Sequence, residues 1–373
     1  MRAVRFHGRE DLRLDEIEEP ECESGQVKVY TTGLCRDMRQ WYEPKIPRLP
    51  LHSSHVLADL HEYLAGPMVV PVSPHPITGE KLPTTLGHEF SGTIEEIGRD
   101  VTDLKVGDRV AVKPNLYDGI CPSCSMGRVN CCDSLGFIGY SSQTGGLSDH
   151  MVMDQKHAIP LPDSIPLDIG ALVEPLSVAW HAVSRSSLQN NDTALVVGAG
   201  PIGLAIVLVL KSRGVRNIIV VEVSEKRRLF ARTFGATEIL NPSEVDVVAQ
   251  LHALTRDARG VSMAFECSGV QAGLDTAISG TRVRGTTVIV SIWDKKPAID
   301  ALALVLYEKH VTGAVVYDDG DFEAVIEAIA SGKIQPRPMI TSKIAMEDVV
   351  EKGFRALIHE KDQHVKILVD VSA

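Results

Sequence analysis

Apolar and polar positions alternate along short runs in the first part of the chain, as in "QVKVYTTG", "SGTIEEIG" and "VGDRVAVKP", and Gly and Pro separate these runs. A two-residue period with frequent turn signals predicts strands, and their succession up to about residue 160 predicts a β-rich barrel or sandwich. From about residue 175 the pattern changes. "TALVVGAG", "NIIVVEVS", "SMAFECSG" and "GTTVIVSIW" are too continuously apolar for one-sided burial, and helix-like stretches such as "IGLAIVLVLKSRG" and "EKRRLFARTFGA" stand between them. Strand and helix in turn predict a doubly wound parallel sheet covered on both faces, hence an α/β fold. The tail carries two helical patterns, "DFEAVIEAIASGK" and "MEDVVEKGFRALIHE", and closes on a strand, "HVKILVDV".

Composition sharpens this picture. The chain of 373 residues is 44% hydrophobic, enough for a large core and better suited to two domains than one. No apolar run approaches the roughly 18 residues of a membrane span, and the N-terminus reads as a strand, so a cytoplasmic protein is expected. The net charge of -11 comes without a basic block. That leaves nucleic acid and anionic membranes without a positive face to bind, and makes a small molecule the expected ligand. Cys121, Cys124, Cys131 and Cys132 crowd into one short segment, a clustering that points to metal before disulfide.

"TALVVGAGPIGLA" sets Gly198, Gly200 and Gly203 in G-x-G-x-x-G directly after a strand, with Pro201 and Ile202 opening the helix that follows. The first glycine permits a tight turn, the second lets the backbone approach a pyrophosphate, and the third lets helix pack on strand. The next strand ends in Glu222, where an acid accepts ribose hydroxyls and repels a 2'-phosphate. NAD is therefore expected over NADP. Arg227 and Arg228 follow; they could favour a phosphate or lie on a solvated helix face. A turn with no cofactor is the alternative reading of the glycines.

"GHEFSGTIEEIGRDV" fits G-H-E-x2-G-x5-G-x2-V through Gly87, His88, Glu89, Gly92, Gly98 and Val101. Together with "VGDRVAV" it resembles the zinc-dependent medium-chain alcohol dehydrogenases, over essentially the whole chain. The segments "PHPITGEKLPTTLGHEFSG", "NCCDSLGFIGY" and "ALVEPLSVAWHAV" are most similar to the branch acting on (R,R)-2,3-butanediol, a neighbour of the sorbitol and xylitol dehydrogenases. The resemblance implies a GroES-like catalytic domain over residues 1–174, a Rossmann NAD-binding domain over 175–315 and a return to the catalytic domain over 316–373. It also implies a homodimer or homotetramer.

A catalytic zinc takes about three protein ligands and keeps one position open for a substrate oxygen. The resemblance implies Cys35, His88, Glu89 and Glu174 as its ligands, and the acid at 174 favours a vicinal diol or hydroxyketone. On spacing alone Glu174, just before Pro175, could instead complement a helix N-terminus, and Glu89 could stand behind His88. The family's structural zinc lobe has four cysteines, which here fall on Asp118, Cys121, Cys124 and Cys132; Cys131 competes with Asp118, and reduced cysteines without metal are the alternative. Asp59 and His61 match the family's proton-relay stretch, in which the histidine passes the substrate's proton outward; without the resemblance His61 reads as a solvated loop histidine.

That stretch is interrupted. The 23 residues between Cys35 and Asp59 stand where the family has two, and they contain Pro44, Pro47 and Pro50 but no helical or strand period. Two readings compete: a genuine loop over the cleft, with Ser53 or Ser54 replacing the missing hydroxyl, or translated intron sequence that leaves a catalytically impaired, cofactor-binding chain.

Overall fold

The alternation in "QVKVYTTG" becomes the strand Gln26–Cys35, in which Val27, Val29 and Thr31 are all buried on one face. The computed structural model describes residues 1–35, 59–186, 191–255, 259–293 and 295–371. This strand pairs antiparallel with Phe90–Ile97, with His150–Asp154 and, at its far end, with Lys366–Asp370. The last pairing brings the two tail strands, Ile340–Ala345 and Lys366–Asp370, into the N-terminal sheet. Val27, Val29, Phe90, Ile94, Val110, Met151 and Met153 form a core on this sheet.

The second sheet has six parallel strands, in the order Glu238–Leu240, Asn217–Val221, Thr193–Val197, Val261–Glu266, Thr281–Ile289, His310–Gly313. Its inner strands are buried on both faces, as their unbroken apolar runs require. Ala194, Val196, Ile218 and Val220 pack into one core with Leu204 and Val207 of the helix Pro201–Ser212, while Leu195, Val197, Ile219 and Val221 pack into another with Val247 and Leu251. Strand order reverses between Thr193–Val197 and Val261–Glu266, and a crevice opens at such a reversal beyond the carboxyl ends of the strands. The helix Val173–Ser184 packs on Pro201–Ser212 and on Asp321–Ala330. It thereby links the two halves.

"DLHEYLAGP" adds a feature that periodicity does not reveal: the short helix Asp59–Ala65, which buries Asp59, Leu60, Glu62, Tyr63 and Leu64. Residues 36–58, the interrupting stretch, lie outside the described residues. No helix among the described residues is long and apolar enough to cross a membrane.

Candidate functional site

His88 and Glu89 sit on the turn that leads into the strand Phe90–Ile97. Gly87 before them has φ +97, and a Cβ there would meet the Leu147 backbone nitrogen at 2.8 Å, so glycine alone fits. Glu174 arrives from the first turn of the helix Val173–Ser184. All three side chains are buried, and their ligand atoms lie within 4.8 Å of one another. The strand Gln26–Cys35 pairs with Phe90–Ile97 as far as Gly33↔Phe90, and Cys35 at its end pairs with Ile367. The thiol of Cys35 lies outside the described residues.

The charges around this cluster explain its composition. His88 Nδ1 is 3.7 Å from Asp59 Oδ1, too long for a hydrogen bond but close enough for the carboxylate to attract the ring. Lys366, wholly buried at 0% exposure, gives its ammonium to both oxygens of Glu89. Burial opposes a charged imidazole, yet Asp59, Glu174 and Glu89 outweigh it and hold His88 up at about 9. Burial pushes the Glu174 carboxyl up to about 7, with His88 pulling the other way. Three buried carboxylates thus crowd one imidazole and one ammonium, and Glu174 Oε1 has no hydrogen-bond partner. A zinc ion fits this donor set, because it would satisfy the orphaned oxygen and let imidazole and carboxyl bind unprotonated.

His61, on the same short helix as Asp59, is half-buried and stands outside the cluster. Lys366 escapes sequence reasoning; its only signal is a cation inside the apolar run "HVKILVDV".

Asp118, Cys121, Cys124 and Cys132 form a second cluster, again with ligand atoms within 4.8 Å of one another. Cys121 Sγ is 3.9 Å from Cys132 Sγ, and backbone N–H groups point at the sulfurs: Asp118 and Ser134 donate to Cys132 at 3.4 and 3.3 Å, Cys124 to Cys121 at 3.5 Å. Asp118 Oδ1 accepts from the Ile120 and Cys121 N–H groups, which depresses its pKa and fixes the carboxylate. Cys131, one residue from Cys132, ends a tight turn over Val129–Cys131 and is exposed, outside the cluster. Burial and the neighbouring Cys121 push the Cys124 thiol up to about 12. Thiols this close cannot all ionise unaided, whereas zinc would make each a thiolate.

In the other half, Gly198 follows its strand at φ +99, and a Cβ on Gly203 would fall 2.0 Å from the Gly198 carbonyl oxygen. Gly200 caps the helix that begins at Pro201, and Ile202 is half-buried beside it. Buried Glu222 accepts from the Ala199 N–H at 2.8 Å through Oε2 and from the Ser224 N–H at 2.9 Å through Oε1. It therefore grips the glycine turn from the neighbouring strand while keeping lone pairs for a further donor. Arg227 turns away to Asp362, 3.1 Å from Nε, and to the Lys361 carbonyl; Arg228 donates to the Val223 carbonyl at 2.6 Å.

Comparison with known proteins agrees with both halves. Residues 26–163 match the alcohol dehydrogenase GroES-like domain and residues 201–331 the zinc-binding dehydrogenase domain. The chain is 40% identical over 373 residues to (R,R)-butanediol dehydrogenase of Bacillus subtilis, covering 99% of each chain. It is 38% identical over 375 residues to (R,R)-butanediol dehydrogenase of Neisseria gonorrhoeae, again covering 99% of each. The crystal structure of 2R,3R-butanediol dehydrogenase from Bacillus subtilis superposes with a TM-score of 0.87 at 40% identity, over 99% of both chains. The fold, the matched domains and these full-length likenesses place the chain in the zinc-dependent medium-chain alcohol dehydrogenase family.

Proposed function

We propose that the chain interconverts (R,R)-2,3-butanediol and acetoin with zinc and NAD. The observation that carries this reading is Glu174, an acid within 4.8 Å of His88 and Glu89 in a wholly buried cluster, on a chain similar along its length to butanediol dehydrogenases. Bound there, zinc supplies a Lewis acid that lowers the pKa of a substrate hydroxyl, and NAD supplies the hydride acceptor. Cys35, His88 and Glu174 would hold the metal. Asp59 orients His88, and Lys366 holds the charge of Glu89 behind the ligands. His61, partly open to solvent, carries the substrate's proton outward. Asp118, Cys121, Cys124 and Cys132 would hold a structural zinc.

Glu222 supports NAD over NADP, since a carboxylate facing the ribose opposes a 2'-phosphate. A dimer joined along the edge strand His310–Gly313 is supported by the adjacent helix Ala301–Tyr307, whose Leu302, Val305, Leu306 and Tyr307 are all exposed. A cytoplasmic setting is supported by Cys22 and Cys267, which stand outside the proposed metal sites and are not in disulfides.

NAD reduction by the zinc-loaded protein with the butanediol stereoisomers, sorbitol, xylitol and threonine tests the reading. The (R,R) diol should have the highest kcat/KM; a higher value for sorbitol or xylitol would make the chain a polyol dehydrogenase instead.

A further inference from the structure

The turn after Glu222 makes contrary demands on a cofactor. The carboxylate opposes a 2'-phosphate, while Arg227 and Arg228, in the helix Glu225–Phe234 that follows, are the residue type that binds phosphate best. Arg227 is tied closely to the acid. The Ser224 N–H donates to Glu222 Oε1 at 2.9 Å, and Ser224 Oγ accepts from the Arg227 N–H at 3.4 Å. A side chain that starts so near Glu222 has the length to pair with it or with a phosphate beside it.

Neither arginine is used in that way. Arg228 is held on the backbone of its own turn, where Nη1 donates to the Val223 carbonyl at 2.6 Å and to the Glu222 carbonyl at 3.3 Å. Arg227 is held from the other half of the molecule. Its Nε lies 3.1 Å from Asp362 Oδ1, and its Nη2 donates to the Lys361 carbonyl at 3.2 Å. Asp362 and Lys361 belong to the turn between the helix Ala356–His359 and the strand Lys366–Asp370, closed by the Gln363 N–H on the Glu360 carbonyl at 2.8 Å. The strand after this turn is the one that carries Lys366 to Glu89. The Arg227 side chain is only 12% exposed, whereas that of Asp362 is 41% exposed. An ion pair with one partner in solvent contributes little to stability. Its consequence is where it puts the cation.

We propose that Asp362 is a specificity-determining residue for the cofactor: from the catalytic domain it holds Arg227 away from Glu222 and so withholds from a 2'-phosphate the guanidinium that would bind it. Glu222 in turn keeps its remaining lone pairs for ribose hydroxyls, because no arginine neutralises it. The inference rests on the NAD preference proposed above and gives that preference a second determinant, outside the Rossmann domain.

The test measures dissociation constants for NAD and NADP by calorimetry on the full-length, zinc-loaded protein and its variants. Asp362→Ala should tighten NADP relative to NAD by about tenfold, the worth of a charge-assisted hydrogen bond, with zinc content unchanged. Asp362→Asn, which keeps the shape of the side chain and loses its charge, should move the ratio in the same direction and carries the test if the alanine variant fails to fold. Arg227→Ala alone should change the ratio by less than about twofold, and the double variant Asp362→Ala with Arg227→Ala should show none of the gain. An unmoved ratio in both Asp362 variants, or a gain that survives in the double variant, overturns the role of Asp362 and leaves the NAD preference standing. So does a loss of NAD affinity in Arg227→Ala, which would make Arg227 a cofactor ligand in spite of Asp362. An unmodified protein that binds NADP as tightly as NAD overturns the preference itself, and this inference with it.

Discussion

An ammonium with no water around it, as Lys366 is against Glu89, can stay charged only through its partner, and the carboxylate depends on it equally. Lys366→Met should therefore cost about 3–5 kcal/mol by leaving Glu89 buried and uncompensated. Chemical denaturation of the zinc-loaded protein measures this, and the double variant with Glu89→Gln should recover most of the loss. Glu222 sets a second residue-scale expectation. It is buried and already holds the Ala199 and Ser224 N–H groups, which supports the proposal that it faces a ribose. Glu222→Ser should reduce the preference for NAD over NADP by about tenfold or more, from the loss of a charge-assisted hydrogen bond. Equal catalytic efficiency with the two cofactors in the unmodified protein would contradict this role. The residue types of both sites could be read from the sequence, His88 and Glu89 from G-H-E and Glu222 from the end of its strand. Their partners could not: Lys366 meets Glu89 across a separation of 277 residues.

At the scale of elements, the lobe around Asp118, Cys121, Cys124 and Cys132 is a short irregular segment with few apolar side chains of its own. A closed metal site would contribute to its folding energy and leave no coordination position open for chemistry. Cys121→Ser and Cys124→Ser should lower the melting temperature and the soluble yield, and Asp118→Ala less so. Cys131→Ser should fall within about 0.5 kcal/mol of the parent, as a surface change does. Greater harm from Cys131→Ser than from Asp118→Ala would reassign the fourth ligand. The sequence left that choice open because an aspartate stands where the family has a cysteine and Cys131 offers a thiol close by; the tight turn over Val129–Cys131 leaves Cys131 exposed, while Asp118 joins the cluster. The stretch 36–58 also belongs to this scale. On the reading that it is translated intron sequence, replacing it with Gly-Ser should raise butanediol oxidation well above that of the chain as it stands, whereas a functional loop predicts a loss.

For the whole molecule, the parallel sheet ends on a strand beside a helix whose apolar residues face outward, with Val305 73% and Leu306 66% exposed. An apolar surface of this kind on an ordered helix supports the dimer proposed above. If the proposed dimer forms through this face, changing Val305 and Leu306 together to Asp should leave a monomer by light scattering at micromolar concentration, with zinc content unchanged, and a parent protein that is already monomeric would refute the dimer. The sequence by itself determined the two textures of the chain and the glycine turn, because a period of two, an apolar run buried on both faces and a turn needing positive φ are local properties of the backbone. Tertiary structure alone decided which groups meet: the tail strand that carries Lys366 to Glu89 and the helix that brings Glu174 beside His88. Those meetings depend on how distant segments pair and pack, and a buried charge acquires its role from what the fold sets opposite it.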